Sequence, residues 1–458
     1  MEDNNRKKQQ NMVNTIRNIG TTFFVLVMGV GTILGIMIFK RPKVSETEQR
    51  TLTKFPKFSA ETFWDGTYFS ELSTWYSDTY PYRDIWISAD QHIKKLYGFE
   101  SDTMMVGGNV SSDEIPDIPS VPTTEENAQQ TPLQPEPEPD ITTEEQHRVE
   151  TPDAMAMEAE IQKQIQQGLY VKEDAAYSVY YFVQESADRY INMMNRVADE
   201  LDGTTNVYSI LVPNNSGIML PENELNGLGG SNQKQAIEYY YGSYNDKVKT
   251  VDCFDVLREH NDEYLYFRTD HHWTQLAAYY TYQNFCDEKG VNATKLEEHE
   301  KREYEGFLGS AYTTLKNDNM AANPDVIEAY LPISTNSMKY YDKNNTEYDW
   351  NVVSDVTDWG QNSKYSCFIG GDQPLVVIEN PTVTDGSSCV VVKESYGNCI
   401  VPFLVDHYQT VYVIDFRYTN QNILDFVKEK KVTDLIIINN ISIIGNVDVS
   451  KTIDGLLQ

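Results

Sequence analysis

An α/β domain built on a parallel sheet is what this chain predicts, and three apolar runs near its C-terminus predict it. Cys389-Val390-Val391-Val392, Val411-Tyr412-Val413-Ile414 and Leu435-Ile436-Ile437-Ile438 are continuous, as strands buried on both faces should be. The stretches between them, Cys399 to Tyr408 and Ile423 to Lys430, read as helices. Strands alternating with helices imply a parallel sheet, whose ligand edge lies at the carboxyl ends of its strands.

From the N-terminus, residues 1–19 are polar and carry Arg6, Lys7, Lys8 and Arg17. No charge falls between Asn18 and Phe39, and about 20 apolar residues span a bilayer core. A cleaved signal peptide is the competing reading, but a small-residue cleavage site should then follow, and Lys40-Arg41-Pro42-Lys43 follows instead. The expectation is a membrane anchor over 20–39, with residues 40–458 outside the cell. Residues 44–100 carry aromatic and acidic punctuation, with helical spacing over Phe69 to Tyr80 and Ile85 to Leu96.

Residues 108–160 hold 14 Asp/Glu against one Arg, Arg148, and so supply −13 of the net charge of −32. They carry eight of the 18 prolines and no aromatic residue, a composition that predicts a disordered insert. Met104-Met105-Val106 before it and Gly168-Leu169-Tyr170-Val171 after it read as short strands, so the insert interrupts one domain, and long loop insertions cost little closure entropy. The remaining acidity excludes a nucleic-acid surface. Cys253, Cys286, Cys367, Cys389 and Cys399 show no close pair and no metal spacing, which points to buried thiols.

Tyr180 to Leu201 predicts an amphipathic helix, Val207 to Val212 a strand, and Pro213-Asn214-Asn215 a turn. Tyr239-Tyr240-Tyr241 suits carbohydrate stacking and equally an ordinary secreted surface. Tyr264-Leu265-Tyr266-Phe267 reads as a strand and Thr274 onward as a helix. Between them lies Thr269-Asp270-His271-His272-Trp273-Thr274, in a chain with seven histidines. On an extended backbone residues two apart share a face, so Asp270 and His272 converge and His271 turns the other way. A carboxylate fixing an imidazole is the orienting half of a Ser-His-Asp triad.

The nucleophile that would complete it is Ser395, in Lys393-Glu394-Ser395-Tyr396-Gly397-Asn398 directly after the first apolar run. Gly397 permits a tight strand-to-helix turn, and backbone N–H groups there could stabilise an oxyanion; Ser395, Gly397 and Asn398 are the candidate donors. Trp273, Tyr396 and Arg417 are candidate substrate contacts. For Arg417 and Arg83 a bidentate clamp on an anionic sugar competes with structural ion pairs, and Trp273 reads as core packing over the triad ahead of a sugar platform. Asp-His-His also suits a dinuclear manganese site, but such sites need bridging carboxylates, and no two aspartates here are separated by a single residue. No metal or other cofactor is expected.

Together these residues resemble the DHHW protein family, which is related to alginate O-acetyltransferase proteins with an SGNH-hydrolase-like domain. The resemblance rests on Ser45 to Leu52, Asp78 to Asp84, the Thr269 to Thr274 run, Lys364-Tyr365-Ser366 leading to Gly370-Gly371-Asp372, Lys393 to Asn398 with Pro402-Phe403-Leu404, and Val413 to Tyr418. It implies an SGNH-hydrolase-like three-layer fold, Ser395 as nucleophile, His272 as base and Asp270 as its orienter, with His271 outside the triad. One departure is Glu394, where the pattern leads one to expect aspartate. In ordinary SGNH hydrolases, moreover, the serine precedes the Asp and His. The activity implied is O-acetylation of a cell-surface polysaccharide, with a membrane-bound O-acyltransferase partner delivering acetyl. An acetylesterase would use the same triad with water as acceptor, and a surface scaffold would need none of it.

Overall fold

The computed structural model describes residues 103–107, 112–116 and 168–458, together with short pieces between 44 and 80. The chain divides into two units, Met1–Glu100 and Ser101–Gln458. In the first, Val44–Ser45 pairs antiparallel with Arg50–Thr51, and Phe55 meets Trp75 edge-to-face at 4.7 Å. The expected anchor at 20–39 and Arg83 lie outside the described residues, as does most of the acidic insert. Among the described residues no helix is long and apolar enough to cross a membrane.

The second unit opens with an antiparallel three-stranded sheet of β1 (Thr103–Gly107), β2 (Gly168–Lys172) and β3 (Ala175–Ser178). Because Gly107 pairs with Gly168, the two strands flanking the insert are neighbours. Its first residues differ from the disorder expected of 108–160. Asp113 donates its N–H to Phe182 O (2.9 Å) and accepts from Gln184 N–H (2.8 Å), while Ile115 packs on the core. Residues 112–116 therefore dock. The Asp113 carboxylate satisfies one of the orphan N–H groups of α1 (Gln184–Glu200).

An eight-stranded mixed sheet carries the site. Its members in chain order are β4 (Asn206–Val212), β5 (Val248–Val251), β8 (Ser337–Tyr341), β9 (Glu347–Asn351), β10 (Leu375–Glu379), β11 (Ser388–Lys393), β12 (Thr410–Asp415) and β13 (Asp434–Asn440). A separate pair, β6 (Lys301–Phe307) with β7 (Asp325–Tyr330), lies between β5 and β8 in sequence. The spatial order in the large sheet is β9-β8-β10-β12-β11-β13-β4-β5. β12, β11, β13, β4 and β5 run parallel, as the apolar runs predict. β10, β8 and β9 extend the sheet antiparallel, which a purely parallel expectation omits. Every residue of β9 is exposed, so that strand carries no buried apolar signature.

Helices cover both faces. Tyr208 of β4 meets Phe285 of α3 (Gln275–Lys289) at 5.0 Å. Asn439 of β13 lies three residues beyond Ile436, the register partner of Tyr208, hence on the opposite face, and its Nδ2 donates to Tyr190 Oη of α1 (3.2 Å). The Tyr239–Tyr241 run lies on α2 (Gln233–Gly242), where Tyr239 and Tyr240 are buried and Tyr241 Oη accepts from Leu211 N–H (2.9 Å). It is core, not a sugar platform. All five cysteines are buried free thiols. The helix expected over Cys399 to Tyr408 is broken into a short α-turn, Val401–Leu404, between the 3₁₀ turns Ser395–Cys399 and Val405–His407.

Candidate active site

Residues 264–274 form a tight loop rather than a strand entering a helix. One antiparallel bridge, Tyr266 to Trp273, closes it, supported by Thr274 N–H to Leu265 O at 2.8 Å. Thr274 then caps α3 by accepting from Ala277 N–H, the cap its hydroxyl suits. The loop is clamped from outside by Asp325 at the start of β7. This fully buried carboxylate accepts from Thr269 N–H (2.8 Å), Thr269 Oγ1 (2.6 Å), Arg268 Nε (3.1 Å) and Tyr264 Oη.

Asp270 and His272 converge, but not through strand alternation. The Asp270 carboxylate folds back on the backbone and accepts His272 N–H at 2.9 Å, an Asx turn. The same oxygen lies 2.5 Å from His272 Nδ1. Its other oxygen accepts Ser310 N–H at 2.7 Å, the first residue of α4 (Ser310–Leu315). Burial pushes the Asp270 carboxyl up. The His272 and His271 imidazoles and the hydrogen bonds from His272 and Ser310 outweigh it and hold the group well below the usual carboxylate range.

On the far side, His272 Nε2 lies 2.8 Å from Ser395 Oγ. Ser395 lies one residue past the end of β11, at the carboxyl edge of the sheet, and opens the 3₁₀ turn Ser395–Cys399. Glu394 pins that turn: its Oε2 accepts Tyr396 N–H (3.0 Å) and its Oε1 accepts Asn440 N–H (2.9 Å) at the end of β13. Burial raises the Glu394 pKa against the pull of Arg417 and of these two N–H groups. Tyr365 Oη donates to Ser395 O (3.0 Å), and its ring stacks on His272 at 4.0 Å and 12°.

His271 does not turn away. Its ring lies 3.8 Å from that of His272, and its Nδ1 is 2.6 Å from Ser310 Oγ. An extended backbone would have separated the two imidazoles; the tight turn brings them side by side, tilted by 37°. Burial and the neighbouring His272 lower the His271 pKa to about 3.

The expected substrate contacts are interior. Trp273 is fully buried and donates Nε1–H to Tyr396 O (2.8 Å). Tyr396 is equally buried, with its hydroxyl donating to His271 O. Arg417 is buried in a four-member charge network. It contacts Asp415 (2.7 Å) and Asp372 (2.8 Å), and Lys393 Nζ contacts the same two carboxylates at 2.8 and 2.9 Å. The structural ion pair wins over the sugar clamp for Arg417. Two cations against two anions leave the network neutral, and it ties β11 and the end of β12 to the Gly370-Gly371-Asp372 turn.

Among the oxyanion candidates, Gly397 is already committed, since its N–H donates to Glu394 O at 2.8 Å. Its glycine is required by proximity: a Cβ there would lie 2.5 Å from Lys393 Cβ. Asn398 Nδ2 donates to Asp372 Oδ1 (3.0 Å). Asp270, His271 and His272 are the one group among the described residues that could hold a metal. Both Asp270 oxygens and His271 Nδ1 already have partners, Asp372 and Asp415 are paired with cations, and both Glu394 oxygens accept backbone N–H groups, so among the described residues these carboxylates are committed elsewhere and not to bridging a dinuclear site.

Asp325, Gly309, Ser310 and the ring of Tyr365 were not legible as site residues. The only trace of Tyr365 and Asp372 was their place in the motif around Gly370-Gly371.

The DHHW protein family matches residues 48–127 and 140–414. A crystal structure of a DHHW family protein from Eubacterium siraeum is similar at 28% identity and a TM-score of 0.55, covering 62% of this chain and 93% of that one. Bacillus cereus PatB1 shares the fold at 18% identity and a TM-score of 0.51, covering 62% of this chain and 96% of its own. Its structure with a sulfonyl adduct gives 16% identity, the same TM-score of 0.51, and coverage of 60% and 93%. No curated protein matches the chain. With its family pattern spanning both the histidine loop and the serine turn, the chain belongs to the DHHW protein family.

Proposed function

We propose that this chain is an extracytoplasmic O-acetyltransferase acting on a cell-surface polysaccharide. The observation that carries the reading is the relay from Asp270 through His272 (2.5 Å) to Ser395 (2.8 Å), the constellation of nucleophile, base and orienter. Membership of the DHHW family supports it.

In this reading Ser395 Oγ attacks the carbonyl carbon of an acetyl donor while His272 Nε2 takes its proton. The proton passes to the departing donor group, leaving an acetyl ester on Ser395. A sugar hydroxyl then gives its proton to His272 as its oxygen attacks the ester carbon. The bond to Ser395 breaks, and Oγ takes the proton back. Asp270 stays ionised throughout and stabilises the imidazolium. The Ser395 N–H is the proposed oxyanion donor. The acetyl source is proposed to be a membrane-bound O-acyltransferase, and the anchor at 20–39 would hold the domain beside it.

Turnover of a chromogenic acetyl ester tests the reading. Ser395→Ala and His272→Ala should each abolish it to a similar extent, because triad members act as a unit. Full activity in either variant would remove the triad.

A further inference from the structure

Four aromatic side chains of the second unit are exposed among the described residues: Tyr264 (40%), Tyr348 (41%), Trp350 (38%) and Trp359 (37%). The last three lie in the segment 347–372, which is also a wall of the active site. Its 3₁₀ turn Gln361–Cys367 lays the Tyr365 ring on His272 at 4.0 Å and the Tyr365 hydroxyl on Ser395 O at 3.0 Å. Asp372, at its end, holds Asn398 of the serine turn at 3.0 Å. Exposed aromatic residues scattered singly need no explanation. Three on the segment that walls the nucleophile do.

Each ring stands on a rigid support. Tyr348 and Trp350 share one face of β9. Tyr340 of β8 stacks on the first (4.9 Å, 18°) and meets the second edge-to-face (6.0 Å, 81°). Trp350 also lies against Gly370, where a Cβ would be 3.0 Å from its Cδ1. Trp359 sits on a loop fixed by a buried cation: Lys364 Nζ donates to Val356 O (2.9 Å) and Thr357 O (2.8 Å). Asp355 Oδ1 accepts from Thr357 N–H (3.0 Å) and Oγ1 (2.6 Å), and Trp359 N–H closes the turn on Val356 O (3.0 Å). Cross-strand pairing accounts for a tyrosine opposite Tyr340. It does not account for Trp359, which lies outside the hairpin, or for a buried ammonium that fixes its loop.

We propose that Tyr348, Trp350 and Trp359 bind the acceptor polysaccharide by stacking on its sugar rings, and that this polymer is uncharged. The identity of the acceptor rests on the transferase reading above. A pyranose has an apolar C–H face and a rim of hydroxyls, which suits aromatic rings that offer an apolar face and a polar edge. Rings already held in place lose little freedom on binding. The charge of the polymer follows from the neighbours. Asp349 and Asp358 are exposed beside Trp350 and Trp359, close enough to act before salt screens them. Lys364, the one cation of the segment, is buried, so an anionic chain would meet repulsion with nothing to offset it. Polymer bound here is held at the wall that carries Tyr365 over His272.

The test reads polymer binding with turnover removed. The full chain carrying Ser395→Ala is run by affinity electrophoresis through native gels containing hydroxyethylcellulose, an uncharged glucan, or pectate, an anionic polyuronate. The glucan should retard it and pectate should not. Adding Trp350→Ala or Trp359→Ala should weaken glucan binding about tenfold, the scale of one lost stacking contact, with an unchanged melting temperature. Trp359→Phe keeps a ring and should bind within about threefold of the parent. No retardation by the glucan, equal retardation by pectate, or undiminished binding in both alanine variants overturns the proposal. So does a loss of binding that follows a lowered melting temperature and is not restored by Trp359→Phe, the mark of a structural role. The readout is separate from the triad: acetyl-ester turnover that persists in Ser395→Ala, with glucan binding intact, would overturn the triad and leave the aromatic surface standing.

Discussion

A Cβ on Gly309 would lie 2.1 Å from Asp270 Oδ2. The carboxylate reaches the first N–H of α4 only because residue 309 has no side chain. Asp270 is thus positioned from outside its own loop, by a chain segment 40 residues downstream of it.

Gly309→Ala should therefore behave as an orienter mutation. The carboxylate must shift by more than an ångström, and misplacements of that size cost about 10²-fold in rate. The acetyl-ester kcat should fall by about that factor with the protein still folded by circular dichroism. Activity within about threefold of wild type would show that the loop relaxes around the added methyl.

Arg417 is expected to matter for stability and not for acceptor binding. Removing it leaves Asp372 and Asp415 with Lys393 alone in a buried site, and breaking such pairs costs about 3–5 kcal/mol. Arg417→Ala should lower the denaturant midpoint accordingly. A stable variant with a selectively raised acceptor KM would revive the sugar clamp.

Acid should weaken the fold through His271. Its pKa is about 3 when folded against about 6.5 when unfolded. Between those values the unfolded chain binds a proton that the folded chain does not, so stability falls with falling pH, by up to about 1.4 kcal/mol per pH unit from this site. Asp270, whose folded pKa is depressed, adds stability above its ordinary range near 4 that is lost below it. Denaturant melts of His271→Asn from pH 7 to 4 should show a shallower slope than the wild type. Equal slopes would mean that His271 titrates as in the unfolded chain.

These results separate what the sequence could tell from what it could not. Cys389 to Val392 and Leu435 to Ile438 were legible because a strand buried on both faces must be apolar throughout. Ser395 was legible as a candidate by its place in the turn that ends such a strand. Glu347 to Asn351 was not, because an exposed edge strand has no such constraint. Asp270 and His272 were paired correctly for a wrong reason: the pattern suggested a strand, and the chain uses an Asx turn closed by Asp325 from 56 residues away. That turn is also why the His271 ring lies against that of His272. Arg417 was ambiguous for a different cause, since a guanidinium that binds a substrate carboxylate and one that binds Asp372 look the same until the partner is placed.

The central claim is that Ser395 carries the acetyl group, and trapping that ester tests it most directly. Protein exposed briefly to the acetyl phenyl ester, quenched in acid and digested, should give an acetylated peptide containing Ser395. The acetyl should vanish when a sugar acceptor is added before the quench, and no such peptide should form in His272→Ala. An unmodified Ser395 during steady turnover, or the same acetylated peptide in the His272→Ala protein, would contradict the account.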